Sequence, residues 1–175
     1  MYDDYCTLAG QVFGLISLVL CVLAFSSKQD ERLFVLLLSA NVAFALQFAF
    51  FGSWTAAALS LLVIARISLA HRYPRNILVM AAILVVSGLA SVLTWQNWSD
   101  LPAIIAMVLG TVGMFLLRGI PMRVFLGLAA LAWMASHIIA GSVGGTLAEA
   151  LVVVTNAITI YRLYTTRKRY LDLVD

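Results

Sequence analysis

Apolar residues along this chain come in long uninterrupted runs, and charged residues fall in short clusters between them. Stretches free of Asp, Glu, Lys and Arg cover 5–27, 33–65, 76–99, 101–117, 124–148 and 150–161. A helix needs about 20 mostly apolar residues to cross a bilayer, and most of these runs have that length. The second run is too long for one crossing. As a single helix it would extend about 50 Å against a hydrocarbon core of about 30 Å. It must fold back, and Phe51-Gly52-Ser53-Trp54-Thr55 supplies the turn residues. The last two runs are interrupted only by Glu149, and Gly141-Ser142-Val143-Gly144-Gly145 offers a second turn just before it. The pattern predicts seven helices, over 7–26, 32–51, 54–71, 76–94, 101–117, 122–140 and 146–164. Pro74, Pro102 and Pro121 each stand just before or at a predicted helix start, where a missing N–H does no harm.

Composition agrees with this pattern and excludes the soluble classes. Residues of the AVILMFWYC set make up 63% of the 175, and charged residues 11%; the mean hydropathy is +1.04. A soluble domain of this size could not hide so much apolar surface, because small folds leave much of their surface in water. A soluble enzyme, a disordered chain and a free nucleic-acid binder are excluded, and an all-α membrane protein remains. Two cysteines, Cys6 and Cys21, are too few for a disulfide framework. The acidic start, Asp3-Asp4, differs from the basic start of a cleavable signal sequence, so the first run is expected to stay in the mature chain.

The charges then test the helix count. With seven crossings, one side receives Lys28, Arg32, Arg72, Arg75, Arg118, Arg123, Arg162, Arg167, Lys168 and Arg169. The other side receives only acids: Asp3, Asp4, Asp100 and Glu149. Short loops rich in Lys and Arg stay in the cytoplasm, so the N-terminus is expected outside and the C-terminus inside. Trp95 and Trp98 fall at the outer interface, which suits amphipathic rings.

Helices 1–3 and 5–7 look alike. Arg32-Leu33-Phe34 opens helix 2 and Arg123-Val124-Phe125 opens helix 6; Gly52-Ser53 closes the one and Gly141-Ser142 the other. Two three-helix units pointing the same way need an odd linker, and helix 4 is that linker. The expected layout is a single transmembrane domain over 1–175: a first unit over 7–71, a linker helix over 76–94, a second unit over 101–164 and a basic cytoplasmic tail over 165–175. The two units of this 3+1+3 parallel repeat would be related by an axis along the membrane normal, as in SWEET-type carriers.

Several residues also carry a family resemblance. Asp30-Glu31-Arg32, Leu101-Pro102, Gly110-Thr111, Met122-Arg123 and Trp133, and above all the string from Ala140 through Gly144-Gly145-Thr146 to Glu149 with Asn156 and Arg162, resemble the YgjV-type bacterial inner-membrane family. The likeness runs from about Gln11 to Lys168. It implies a bacterial inner membrane and no particular chemistry. That family in turn looks distantly like the SWEET, PQ-loop and PnuC group, mostly small-solute carriers. There are departures: helix 1 holds Gln11 but no proline, Val63 stands where the family has Asn, and Thr159 replaces a second Asn of helix 7. Asn156 is similar to the Asn of the sugar carriers.

Polar groups within the membrane are costly and so mark candidate sites. Arg66 either snorkels to the inner interface or lines a cavity as a ligand for an anion or a carbonyl. It stands 14 residues after Gly52, and Asn156 stands 15 after Gly141, so the two are near-equivalent in the repeat. Glu149 has capping-box spacing to Thr146; alternatively it exchanges protons from the outer side, with His137 within reach. His137 is otherwise a packed or hydrogen-bonded imidazole. Asn41 and Gln47 in helix 2 are interhelical glue or site groups, and Trp133 is a packed ring or a flat wall for a solute. With Thr159, these complete the candidate substrate set: Arg66, Asn156, Asn41, Trp133, Thr159 and Gln47. No metal-ligand spacing, nucleotide loop or matched acid, base and nucleophile is present. No cofactor and no enzyme activity are therefore expected. The expected partners are membrane lipid and a small polar or aromatic solute, not nucleic acid; a homo-oligomer is compatible with the chain. The competing reading is a non-transporting receptor or scaffold that binds lipid, peptide or a partner protein.

Overall fold

Two glycines with positive φ, Gly52 at 71° and Gly141 at 77°, reverse the chain with the same hydrogen bonds. In the first turn the amides of Phe51, Gly52 and Ser53 donate to the carbonyls of Gln47, Ala49 and Phe48. In the second those of Ala140, Gly141 and Ser142 donate to Ser136, Ile138 and His137. Both are Schellman ends, which need a left-handed residue and so favour glycine. The long apolar run is thus cut where its length requires.

The computed structural model describes residues 2–26 and 30–171. It has seven α-helices: α1 (Tyr2–Ser26), α2 (Asp30–Phe50), α3 (Trp54–Arg72), α4 (Ile77–Thr94), α5 (Leu101–Leu116), α6 (Gly119–Ile139) and α7 (Val143–Leu171), with a 3₁₀ turn at Trp98–Asp100 before α5. No strand occurs among the described residues. Six of the helices are long and apolar enough to cross a membrane, and the apolar part of the seventh, Val35–Phe50 in α2, is shorter. Lys28 and residues 172–175 of the predicted tail lie outside the described residues.

Some ends differ from the hydropathy pattern. α6 starts at Gly119, whose φ of 63° follows an extended Arg118, so Pro121 sits inside the first turn. α7 starts at Val143, because the Ser142 hydroxyl accepts from the Gly145 amide at 3.0 Å. Thr146 is therefore not a cap; its hydroxyl donates to the Ser142 carbonyl at 2.6 Å. The capping-box role for Glu149 falls with it, since Glu149 lies beyond the first turn. α7 also continues past 164 to Leu171, so part of the tail over 165–175 is helical. At the start of α4, Asn76 accepts from the amides of Leu78 and Val79 at 3.0 and 3.1 Å. Asn97 and Asp100 form a capping box at the 3₁₀ turn, and the Asp100 carboxylate takes the Gln96 amide at 2.8 Å.

The packing forms a ring. α1 lies on α2, α2 on α3, α3 on α5, α5 on α6, α6 on α7, and α7 on α1; α4 stands outside against α3 and α5. Lipid gives no hydrophobic drive between helices, so close packing of small residues must hold them. Ala24, Ala40, Ala103, Ala106 and Ala148 are accordingly fully buried. The tightest seam joins α1 and α7, where Gly144 rests on the main chain of Gly14 and Leu15. Gln11 clasps the same seam, donating to the Gly141 carbonyl at 2.6 Å and accepting from the Val143 amide at 3.2 Å. Large apolar side chains on the outer faces, such as Leu78, Val92 and Leu93 of α4, are exposed.

Candidate functional site

The interior of the ring carries polar side chains from α2, α3, α6 and α7. Nearest the end with the two glycine turns, Gln47 of α2 and His137 of α6 are both fully buried. The Gln47 amide and His137 Nδ1 are 2.8 Å apart. Phe48 stacks on the imidazole with centroids 4.5 Å apart, and Phe44 tilts against it at 4.9 Å. Phe48 also meets Trp133 at 6.0 Å. Gly145 leaves the space into which the His137 ring fits. Gln47 Oε1 and Ser136 Oγ are buried with no hydrogen-bond partner.

Deeper in the bundle stands Arg66, only 6% exposed. Side chains on a helix lean toward its N-terminus. α3 begins at the glycine-turn end, so the Arg66 arm leans away from the basic clusters at the other end. Its contacts follow that direction: the guanidinium fills the notch left by Gly110 of α5, and Nη1 lies 3.8 Å from the Met107 sulfur, a turn higher. Arg66 therefore does not snorkel to the basic end. Its Nε is buried and unpartnered, and no carboxylate among the described residues lies within salt-bridge distance of it.

On α7, Gly145, Glu149, Val152 and Asn156 recur at helical spacing and share one face, while Val143, Leu147, Val154 and Ile158 face outward and are exposed. Asn156 is 7% exposed; it donates to the Val152 carbonyl at 3.0 Å and leaves Oδ1 buried without a partner. Glu149 is half-buried on this same face. Thr159 and Asn41 each bond a carbonyl of their own helix, Thr155 at 2.8 Å and Leu37 at 2.9 Å. Asn41 is thus not tied across helices, although its spacing puts it on the face of Phe44 and Phe48. Gln47 makes the interhelical bond instead. No hydrogen bond joins Arg66 to Asn156. The sequence pattern did not single out Ser136, Gly14 or the clasp of Gln11, and it marked Gly144 as a turn residue rather than as the contact with α1; in these only the clustering of small residues gave a signal.

Two open clefts flank this interior. One of about 300 Å³ lies at the basic end, bordered by Ile67, His71, Met114, Arg118 and Met122. The other, about 540 Å³, lies at the glycine-turn end beside Cys6, Phe51, Gly52 and Gly141. No group of three or more potential metal ligands occurs among the described residues.

A helical bundle with an apolar exterior, basic residues at the loops and buried polar groups inside is a multi-pass membrane protein. It belongs to the Imp-YgjV family of bacterial inner membrane proteins, which matches residues 8–167. The chain is similar to the inner membrane protein YgjV of Escherichia coli (strain K12), 27% identical over 163 residues that span 93% of this chain and 88% of that protein. No solved structure matches it. Its place is the bacterial inner membrane.

Proposed function

We propose that the protein is a small-solute carrier of SWEET-like build, in which two parallel three-helix units rock about a midplane site. The units are α1–α3 and α5–α7, with α4 as the reversing linker. The basic end faces the cytoplasm, so the N-terminus is outside. The observation that carries this reading is the set of buried polar atoms without partners, Arg66 Nε, Asn156 Oδ1 and Gln47 Oε1. They come from α3, α7 and α2, hence from both units. Unsatisfied groups in a membrane interior cost several kcal/mol each, about the magnitude of a lost hydrogen bond in hydrocarbon, and a solute can satisfy them. Arg66, Asn156 and Asn41 would hold it, with Thr159 below, Trp133 as an apolar wall and Gln47 above. Glu149 and His137 are the candidates for proton coupling.

The repeat draws support from three features. The two glycine turns share one hydrogen-bond pattern. Swapping α1, α2, α3 for α5, α6, α7 leaves the ring of contacts unchanged. Aligning the turns matches Phe48 with His137 and Phe44 with Trp133. Phe48 stacks on His137, as residues beside a two-fold axis meet their own equivalents, and the Phe48–Trp133 and Phe44–His137 pairs exchange under the same operation. Repeat-built carriers hold substrate at such an axis.

The test has two parts. Asn156→Cys and Thr159→Cys, placed in a Cys6→Ser/Cys21→Ser background, should react with a membrane-impermeant maleimide in opened vesicles. A thermal-shift screen of sugars, nucleosides, vitamins and amino acids should give a hit in wild type that is lost in Arg66→Ala and Asn156→Ala. Thiols inert from both sides would mark a dry middle and move the protein to the receptor or scaffold reading. A hit retained in both alanine variants would reject the site.

A further inference from the structure

We propose that the cleft at the basic end binds one anionic phospholipid, its phosphate on Arg118 and His71 and the start of an acyl chain on the apolar floor. The cleft shares no lining residue with the polar interior and needs no transport to exist.

The lining is amphiphilic. Ile67 of α3, Met114 of α5, and Met122 and Leu126 of α6 are half-buried and form a floor. His71 and Arg118 are exposed and form a rim. A free anion would use the rim and leave the floor bare; a neutral chain would do the reverse. A lipid engages both. The volume of about 300 Å³ takes a headgroup and the first part of one chain, and the rest of the lipid stays in the bilayer. Two methionines suit such a chain, because thioether side chains adapt to irregular shapes.

The charge here is one-sided. From Ile67 to Leu126 the loops at this end carry Arg72, Arg75, Arg118 and Arg123, and the sole acid of that stretch, Asp100, stands at the opposite end of α5. The backbone fixes the root of Arg118. That residue is extended, at φ −142° and ψ 156°, and Gly119 follows at φ 63°, so the chain passes from α5 into α6 across Leu117 and Arg118. A guanidinium presents a fork that matches two phosphate oxygens, and an imidazole N–H donates beside it. Basic pockets between transmembrane helices bind anionic headgroups in this manner. The position also leaves work for an occupant. α3 and α6 both border the cleft, yet each packs chiefly on α5 rather than on the other. A lipid seated there joins them.

The experiment uses the full chain in a nonionic detergent. The probes are dioleoyl phosphatidylglycerol, dioleoyl phosphatidylcholine and inorganic phosphate. Native mass spectrometry counts retained lipid, and thermal melts read the stabilisation. Wild type should retain one phosphatidylglycerol at concentrations where phosphatidylcholine is lost, and should melt a few degrees higher with it. Arg118→Gln should weaken retention about tenfold, the size of a lost charge-assisted hydrogen bond. Arg162→Gln removes the same charge from an exposed position of α7, outside the cleft, and should retain the lipid as wild type does. Met122→Trp fills the floor at constant charge and should also expel the lipid. If Met122→Trp folds poorly, the two arginine variants decide. Equal losses in Arg118→Gln and Arg162→Gln would reduce the binding to diffuse attraction and overturn the proposal. No retention by wild type would overturn it, as would equal retention of phosphatidylcholine. A full melting shift with inorganic phosphate, to which phosphatidylglycerol adds nothing, would mark a pocket for a free anion and overturn it as well.

Discussion

Replacing Gly144 by alanine should separate α1 from α7. A Cβ at Gly144 would lie 2.5 Å from the Gly14 carbonyl oxygen and from the Leu15 amide nitrogen. These are main-chain atoms inside a helix, and no rotamer change relieves them. α1 must withdraw by about 1 Å to reach ordinary contact, a forced shift of the kind that costs about 1–3 kcal/mol in packed cores. The upper part of that range applies because two rigid helices must move. The withdrawal also stretches the clasp of Gln11 on Gly141 and Val143, and each such bond contributes about 0.5–1.5 kcal/mol. At about 2–4 °C per kcal/mol for a chain of this length, Gly144→Ala should melt on the order of 10 °C below wild type. The companion variant is Gly88→Ala in α4, where an added methyl meets nothing within 4 Å; alanine is the better helix former there by about 0.5–1 kcal/mol. Thermal melts of both variants in one detergent, followed by circular dichroism, read the difference directly. If Gly144→Ala melts within about 2 °C of wild type, the size expected of an unconstrained surface change, then α1 does not sit on α7 as described.

Three further outcomes follow from the same contacts. Gln47→Leu and His137→Leu should each cost about 1–3 kcal/mol by stranding a buried partner, and the double variant should cost less than their sum, measured as a thermodynamic cycle. Asn156→Leu should melt no lower than wild type, because its Oδ1 is already unsatisfied, yet it should lose the solute-induced shift, the trade expected of a functional polar group. Arg75 holds a φ of 62° in the loop before α4, a conformation that costs a residue with Cβ about 1–2 kcal/mol. Arg75→Gly should therefore raise the melting temperature slightly in detergent.

The seven helices were legible because lipid imposes length, and length is countable. The 33-residue run had to break, and Gly52-Ser53 broke it. The turns were legible too, because a left-handed residue leaves glycine as its mark. The start of α7 was not. Ser142, Thr146 and Glu149 all suit a helix start, and only the backbone decides that Ser142 takes the Gly145 amide. The Gln47–His137 pair joins residues 90 positions apart, and no local pattern encodes that. The direction of Arg66 was implicit in the polarity of α3: a side chain that leans toward its helix start cannot reach the basic end. The identity of the position across from it, Gly110, came only from the fold. Asn41 looked like a bridging group by residue type and Thr159 like a member of the substrate set, yet each bonds a carbonyl of its own helix.

The seam between α1 and α7 is closed by peptide units, which have no rotamers to exchange. The wall between α3 and α5 is spanned instead by a long flexible arm, Arg66, resting on a thioether. The first edge is thus fixed by backbone on backbone, and the second depends on the rotamer of one side chain seated on Gly110. A shallow crevice of about 210 Å³ already runs there, past Ser87, Gly88 and Met107. The helix outside the ring covers this edge, packed against both α3 and α5, so lipid meets α4 there before it meets the arm of Arg66.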